Sequence, residues 1–253
     1  MKFFLRLMGL IVIAALTLQL YFVSRIALMV VLNPESTAFE RSEIYRISTT
    51  TGTLKWRQQW VSYHQISNHL KSAVIASEDS TFVEHDGVDI EALEKAWDKN
   101  AKAEQRFQQT PHRLNSGKQT SASVKTPVKT PKIVGGSTIT QQLAKNLFLS
   151  GERTLLRKGQ ELVLTLLLER MLNKQRILEI YLNHVEWGEG VFGAEAAAQH
   201  YYRKSASKLS AYEAARLAVM LPRPKYFETR PNSGYLSSRA STIATRMAGV
   251  EIP

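Results

Sequence analysis

The fold class is decided by one stretch of the sequence, residues 153–188: RTLLRKGQELVLTLLLERMLNKQRILEIYLNHVEWG. Its apolar residues recur at the spacing of one face of an α-helix and predict a long helical tract. Residues 210–224, SAYEAARLAVMLPRP, predict a second helix that begins at a serine cap and is stopped by Pro222. Signals for β-strands are scarce along the chain. The globular part is therefore predicted to be mainly α-helical.

The stretch GGSTITQQLAKNLFL, residues 135–149, predicts another helix. Two glycines permit a tight entry of the chain, and Thr138 and Gln141 stand at the spacing of a capping box. This helix should begin near Ile139. Gln142 and Lys145 are three residues apart, so they lie on one face of it.

Two earlier helices are predicted from single capping residues. Asn68 can cap a helix that ends near Glu78, and Asp89 can cap the next one. The residues that share a face of the first are Leu70, Ala73, Val74 and Ser77, and those of the second are Ile90, Leu93 and Trp97.

The N-terminal part of the chain predicts one membrane helix. Residues 7–23 are apolar apart from a glycine, a threonine and a glutamine, and the apolar run resumes at residues 26–32. Seventeen helical residues reach roughly 25 Å, slightly short of a hydrocarbon core of about 30 Å, so the helix should extend through Arg25 to about residue 31. The long Arg25 side chain can reach the nearer interface. A cleaved signal peptide is the alternative, but the apolar region is too long and lacks a convincing cleavage site.

Charge and composition divide the rest of the chain. Residues 1–6 carry Lys2 and Arg6, which by the positive-inside tendency places this tail in the cytoplasm and the domain outside it. Residues 32–59 have mixed polarity and are interpreted as a connector, followed by a domain at 60–253. Within that domain, residues 100–134 hold seven of the basic residues against one acid, in a chain of net charge +11, and predict a mobile basic segment. The sequence has no cysteine, which excludes disulfides and thiolate metal sites.

Glu78 is the first candidate for chemistry. It follows a run of small and apolar residues and stands at the predicted end of a helix, so both burial and the helix dipole disfavour its charged form. Its pKa should lie above the reference value of about 4.3 and closer to the neutral range in which a general base is effective. The alternative is a helix-end acid that points into solvent.

Arg157 and Glu161 are the second candidate. They are four residues apart and share one face of a helix that is otherwise very apolar, so this polar stripe is predicted to face a groove. The alternative is an ion pair on the surface that contributes a few tenths of a kcal/mol.

Four motifs resemble, in order and at similar intervals, those of the peptidoglycan glycosyltransferase family, glycosyltransferase family 51. They are EDSTFVEHDGVD (78–89), GGSTITQQLAKN (135–146), RKGQE (157–161) and RILEIYLNHVEWGEGVFGAEAAAQHYY (176–202). The resemblance covers residues 60–231 and is greatest to the single-domain, membrane-anchored form of Gram-negative bacteria. It implies a lysozyme-like, two-lobed helical domain behind a single N-terminal transmembrane helix.

The resemblance also implies a reaction, the polymerisation of lipid II into glycan strands with release of undecaprenyl pyrophosphate and inversion at the anomeric carbon. Glu78 matches the family's catalytic base, and Glu161 matches its second essential carboxylate. The residues that match the substrate-binding positions of the family are Lys145 and Arg157 at the pyrophosphate, with Gln142, Ser137 and Thr138 lining the cleft.

Cofactors, partners and location are also expectations from the resemblance. No cofactor is expected to be obligatory and no residue is assigned to a metal, although Mg or Mn can assist at the pyrophosphate; His85 is interpreted as structural. The expected partners are lipid II, the growing strand, membrane lipid and other cell-wall synthases or division proteins, but not nucleic acid. The expected location is the inner membrane, with the catalytic domain in the periplasm.

One departure from the family is the segment between the Asp89 helix and Gly135, which looks longer than usual. Our hypothesis is that its basic residues hold anionic lipid heads or pyrophosphate near the cleft. The alternative is a tolerated surface insertion.

Other functions fit the sequence less well. A glycan-cleaving enzyme of lysozyme-like architecture, such as a lytic transglycosylase, has no need of Lys145 and Arg157, because cleavage releases no pyrophosphate. The tetrapeptide SASK, residues 205–208, fits S-x-x-K, but no K-T-G follows it, which argues against a transpeptidase. Nucleotide-binding loops are missing. A non-catalytic, membrane-tethered binding module explains the charge but leaves the ordered motifs unexplained.

Overall fold

The computed structural model of the chain describes residues 1–109, 136–149 and 154–253. The α-helices in these parts of the chain are α1 Lys2–Leu28, α2 Ala38–Thr51, α3 Asn68–Glu78, α4 Ile90–Gln109, α5 Ile139–Phe148, α6 Leu155–Met171, α7 Lys174–His184, α8 Ala194–Tyr202, α9 Ala211–Met220, α10 Pro224–Glu228 and α11 Gly234–Arg246. The strands are β1 Arg57–Gln58, β2 Glu186–Gly188 and β3 Val191–Phe192. Strand β3 pairs with β1 in parallel and with β2 antiparallel. The mainly α-helical prediction is confirmed.

The chain forms two compact units. The first comprises residues 1–88 and 138–253, and the second comprises residues 89–137. In the second unit Asp89 caps α4, since its Oδ1 accepts a hydrogen bond of 2.7 Å from the Ala92 amide. The predicted basic segment, residues 100–134, begins within α4, and its part from residue 110 onward lies outside the described residues.

The core of the first unit is built from helix faces that the sequence pattern predicts. Helix α3 buries Leu70, Ala73 and Val74 completely and packs against α9 and α11. Its cap is Ser67 rather than the predicted Asn68, because the Ser67 hydroxyl accepts from the His69 amide at 3.1 Å. The predicted starts of α5 and α9 are confirmed, and each begins with a capping box.

One prediction about a helix boundary is wrong, and one helix was not predicted. The single tract at residues 153–188 is two helices and a strand, because Asn173 accepts a hydrogen bond from the Arg176 amide and starts α7 as a new helix. The connector contains α2, which Thr37 and Glu40 close with a capping box. The sequence of α2 shows no regular apolar stripe, and only Glu40 and Ile47 are buried along it.

Helix α1 is long and apolar enough to cross a membrane. It spans Lys2–Leu28, compared with the predicted 7–31, and its surface is exposed almost throughout up to Tyr21. From Phe22 onward it joins the core, where the Phe22 and Phe148 rings meet edge to face at 5.3 Å. The Arg176 guanidinium donates to the carbonyls of Met29 and Leu32 at 2.9 Å each. The end of α1 is therefore fixed directly to the domain.

Candidate active site

Glu78 is the last residue of α3 and faces α5. The Gln142 amide donates from Nε2 to Glu78 Oε2 at 3.0 Å, and the Tyr181 hydroxyl donates to Gln142 Oε1 at 3.0 Å. Tyr181 lies on α7 and is 1% exposed. Three helices thus contribute one chain of hydrogen bonds that ends on the Glu78 carboxylate.

The environment of Glu78 changes its acidity in the predicted direction. Burial raises the pKa of Glu78 above its ordinary value, hydrogen bonds from Gln142 and Ser77 lower it, and the nearby charge of Asp79 raises it, with a net upward shift. The Tyr181 hydroxyl has its pKa raised well above the ordinary value, by burial first and then by the charges of Glu78 and Asp79. At neutral pH Tyr181 is therefore a hydrogen-bond donor, and Glu78 is a stronger base than an exposed glutamate.

Asp79, next to Glu78, has a structural role. Its Oδ2 accepts from the Ile139 amide at 2.9 Å, and its Oδ1 lies 2.9 Å from His85 Nε2. The Gly87 amide donates to His85 Nδ1, so His85 Nε2 carries the proton and donates to Asp79. The first motif is closed by these bonds into a loop against α5, which holds the end of α3 where Glu78 projects. This agrees with the interpretation of His85 as structural.

Arg157 and Glu161 form a pair within α6, and Glu161 is only 4% exposed. Arg157 Nη1 donates to Glu161 Oε2 at 3.1 Å, and the Lys158 ammonium donates to Glu161 Oε1. Arg157 Nε is buried and finds no acceptor among the described residues. Both oxygens of one buried carboxylate thus hold cations, which an ordinary surface pair does not do.

Helices α5 and α6 pack together and connect the two candidates. The Thr140 hydroxyl donates to Glu169 Oε1 at 2.6 Å, and Lys174 bonds the same oxygen at 2.9 Å. Gly87 lies against α6, where an added Cβ would come within 2.7 Å of Thr165. The helix that holds Gln142 and the helix that holds Glu161 therefore belong to one rigid arrangement around the first motif.

The remaining predicted site residues differ in their surroundings. Lys145 is exposed on α5, one turn beyond Gln142. Thr138 is 3% exposed, and its hydroxyl donates to the Gly87 carbonyl at 2.6 Å and accepts from the Gln141 amide. Its observed contacts are those of a helix cap, and a contact with substrate stays a prediction. Ser137 is exposed and belongs to the second unit.

Comparison with known proteins assigns the family. The sequence model of the family described as Transglycosylase matches residues 46–109 and 114–248. The chain belongs to the transglycosylase family. It is 49% identical over 240 residues to a biosynthetic peptidoglycan transglycosylase of Burkholderia orbicola, covering 95% of this chain and 87% of that protein. Identity to proteins of the same name is 48% in Herminiimonas arsenicoxydans, covering 96% and 94% of the two chains, and 48% in Bordetella pertussis, covering 94% and 90%.

Membership of the transglycosylase family confirms the resemblance read from the four motifs. The family match is interrupted only at residues 110–113, so most of the segment that looked like an addition falls within matched regions. Each role assigned to a single residue stays a prediction, which the contacts described above support to different degrees.

Three contributors to this transglycosylase site were missed in the sequence. Lys158 stands three residues before Glu161, and this spacing also shares a helix face, so the sequence does contain a signal for it. Tyr181 and Asp79 are hidden because their contacts join distant parts of the chain. The sequence gives one signal for Tyr181: its hydroxyl stands among the apolar residues of its helix, where it needs a hydrogen-bond partner.

The Tyr181 hydroxyl is predicted to orient Gln142. In Tyr181→Phe the Gln142 side-chain amide loses the hydrogen bond that fixes its orientation. In part of the molecules Gln142 then turns its Oε1 instead of its Nε2 towards Glu78, and this oxygen raises the pKa of Glu78 further. We expect about a fivefold lower kcat, the effect of one neutral hydrogen bond, with an unchanged KM. The acid limb of the pH–rate profile should move to higher pH.

The matched control is Tyr201→Phe, which removes a half-buried hydroxyl that donates to the Trp187 carbonyl. Its pH profile should equal that of the wild type. A Tyr181→Phe enzyme with lower kcat but an unmoved acid limb would contradict the orienting role.

Proposed function

We propose that this protein polymerises lipid II into linear glycan strands by inverting glycosyl transfer, with Glu78 as general base. The observation that carries the proposal is a half-buried carboxylate with a raised pKa, held by Gln142 of α5, the helix that packs against α6, where two cations bind one buried acid. A base and fixed cations are the groups that a sugar alcohol and a departing pyrophosphate require.

The reaction follows from these groups. Glu78 takes the proton of the acceptor's 4-hydroxyl while that oxygen forms a bond to the anomeric carbon of the donor. The bond from that carbon to the pyrophosphate breaks, and its electron pair leaves with undecaprenyl pyrophosphate. Attack and departure on opposite faces invert the anomeric centre. Gln142 and Tyr181 keep the Glu78 carboxylate in position for this step.

The cations act on the leaving group. Arg157 and Lys158 stay ordered because Glu161 holds both, so they need no reorganisation as negative charge grows on the pyrophosphate. We assign Lys145 to the same group from α5. Such cations stabilise the transition state more than the ground state, whereas cleavage of a finished glycan strand would give them no anion to bind.

The position of α6 relative to the membrane helix suits a lipid-linked donor. Gln19 of α1 donates to Gln160 at 2.9 Å, and Gln160 is the neighbour of Glu161. Leu155 and Leu156 at the start of α6 are 93% and 86% exposed, which fits contact with lipid. The cations at Arg157 and Lys158 would then lie near the bilayer surface, where the pyrophosphate of lipid II is found.

A divalent cation does not fit the observed contacts at Glu161, because both carboxylate oxygens already bind cationic side chains. Among the described residues, no group of three His, Asp or Glu could hold a metal ion. The proposed mechanism therefore has no step through a metal.

Orientation and partners complete the proposal. Lys2 and Arg6 favour a cytoplasmic N-terminus, which supports a domain on the periplasmic side of the inner membrane. The product is an uncross-linked strand, so cross-linking synthases and division proteins are the protein partners that we expect.

The test uses the full-length protein in liposomes with labelled lipid II. We expect long glycan polymer, with one undecaprenyl pyrophosphate released for each glycosidic bond formed. The rate should be the same with and without a chelator. Short fragments released from preformed glycan, with no use of lipid II, would instead indicate a cleaving enzyme. A rate that falls to background with chelator would contradict the metal-free mechanism.

A further inference from the structure

A polar pocket of about 340 Å³ lies where the membrane helix joins the domain. Arg25 and Arg41 line it together with the apolar side chains of Leu28 and Leu32, and Glu35 is the acid in the lining. None of the residues placed in the candidate active site belongs to this lining. Two cations against one acid leave the pocket with a net positive charge.

The length of the exposed part of α1 places this pocket at the level of the lipid headgroups. The part of α1 between the basic tail and Arg25, residues 7–24, spans roughly 27 Å at 1.5 Å per residue, close to the hydrocarbon core of about 30 Å. Phe22 is the first α1 residue buried in the domain. Arg25 follows one turn later, at the edge of the apolar core and at the opposite end of the helix from Lys2 and Arg6.

The two arginines have hydrogen-bonding capacity to spare. Arg25 makes no side-chain hydrogen bond or ion pair within the described parts of the chain, although it is only partly exposed. Arg41 uses Nη1 on the carbonyl and hydroxyl oxygens of Ser36, at 3.1 and 3.0 Å, which leaves other N–H groups of the guanidinium available. At the bilayer surface the Arg25 guanidinium can therefore reach the phosphate groups of lipids.

We propose that this pocket binds the headgroup of an anionic glycerophospholipid, with Arg25 and Arg41 on the phosphodiester and Leu28 and Leu32 against the start of the acyl chains. Guanidinium groups bind phosphate through charge-assisted hydrogen bonds. The single negative charge of such a lipid balances the net positive charge of the pocket, and Glu35 offers an acceptor to headgroup hydroxyls. A zwitterionic lipid would leave that charge uncompensated.

The bound lipid would fix the junction between the membrane helix and the domain. Arg176 already ties the Met29 and Leu32 carbonyls and the Asn33 side chain to α7. A lipid in the pocket next to these residues therefore sets the height of the domain above the bilayer. This inference is independent of the proposed reaction.

The test measures lipid retention by the full-length protein. Wild type and Arg25→Gln/Arg41→Gln are extracted in mild detergent from vesicles of phosphatidylcholine with and without phosphatidylglycerol, and bound lipids are counted by native mass spectrometry. We expect one phosphatidylglycerol retained by the wild type and about a tenfold weaker retention by the double variant, as loss of charge-assisted hydrogen bonds predicts.

The matched control is Arg239→Gln/Arg246→Gln, which removes the same charge from α11 and should retain lipid like the wild type. Circular dichroism and thermal melting confirm that each variant is folded. Equal retention by the double variant and the wild type would overturn the proposal, as would retention of phosphatidylcholine in equal measure. Displacement of the lipid by millimolar inorganic phosphate would overturn the assignment of the site to lipid.

Discussion

Replacing Glu78 by glutamine is expected to slow lipid II polymerisation by a factor of about 10²–10⁴, the usual contribution of a general base. Glutamine keeps the shape and the contact with Gln142 but cannot take the proton of the attacking hydroxyl. Binding of lipid II should remain, so the loss should appear in kcat. The measurement is the initial rate of polymer formation from labelled lipid II.

The acidity of Glu78 gives this prediction a second readout. Its pKa in the folded protein is raised, mainly by burial, so the protonated form is favoured by folding. The protonated form of Glu78 therefore stabilises the folded protein at pH values below the pKa that Glu78 has in the unfolded chain. This stabilisation is lost as the pH rises through the higher pKa of Glu78 in the folded protein. At neutral pH Glu78→Gln should therefore melt at or above the temperature of the wild type.

The wild-type rate should depend on pH in a related way. The base must be ionised, so kcat/KM should fall as pH decreases through the raised pKa of Glu78, at higher pH than for an exposed glutamate. Glu84→Gln, an exposed acid in the same motif, is the control and should change neither rate nor profile. Polymer formation by Glu78→Gln at the wild-type rate would exclude Glu78 as the base.

The parts of the fold that the sequence predicts are those governed by local rules. The helix start at Ile139 follows from a capping box and that at Ala211 from a serine cap, and the end of α3 at Glu78 follows from its apolar face. Helix α2 was missed although Thr37 and Glu40 stand at the spacing of a capping box, because no regular apolar stripe follows them. Its contacts are distant in the sequence, since Glu40 is fully buried and lies 2.8 Å from His184 Nδ1. A buried acid that is paired with a residue far along the chain has no local signature.

The same distinction applies to the candidate site. Glu78 and the Arg157–Glu161 pair are identifiable because their spacing and their apolar neighbours are local. The chain of hydrogen bonds from Tyr181 through Gln142 cannot be identified in this way, because it depends on how α7 packs beside α5. The burial of Glu161 is also unpredictable from its own helix, since that face is covered by neighbouring elements. Spacing finds such side chains, and tertiary packing decides which of them act together.

Replacing Glu161 by glutamine is expected to lower kcat/KM by about 10²–10³, the effect of losing one preorganised electrostatic group. Glu161 binds Arg157 and Lys158 through separate oxygens, so its charge fixes the two cations that we propose bind the pyrophosphate. Without that charge the two cations repel each other and lose their fixed geometry. The measurement is the polymerisation rate at several concentrations of lipid II.

Binding of the product distinguishes this role from a general loss of structure. Removal of the Glu161 charge makes the cluster more positive, so undecaprenyl pyrophosphate should bind the variant as tightly as the wild type or more tightly, while kcat falls. Glu91→Gln is the matched control, because Glu91 also pairs with a lysine on its own helix but is exposed. It should have the wild-type rate. If Glu161→Gln polymerises lipid II at the normal rate, the cluster is only a structural ion pair. If the variant binds the product more weakly and also melts at a lower temperature, the site has collapsed, because an intact pair of cations must still attract pyrophosphate.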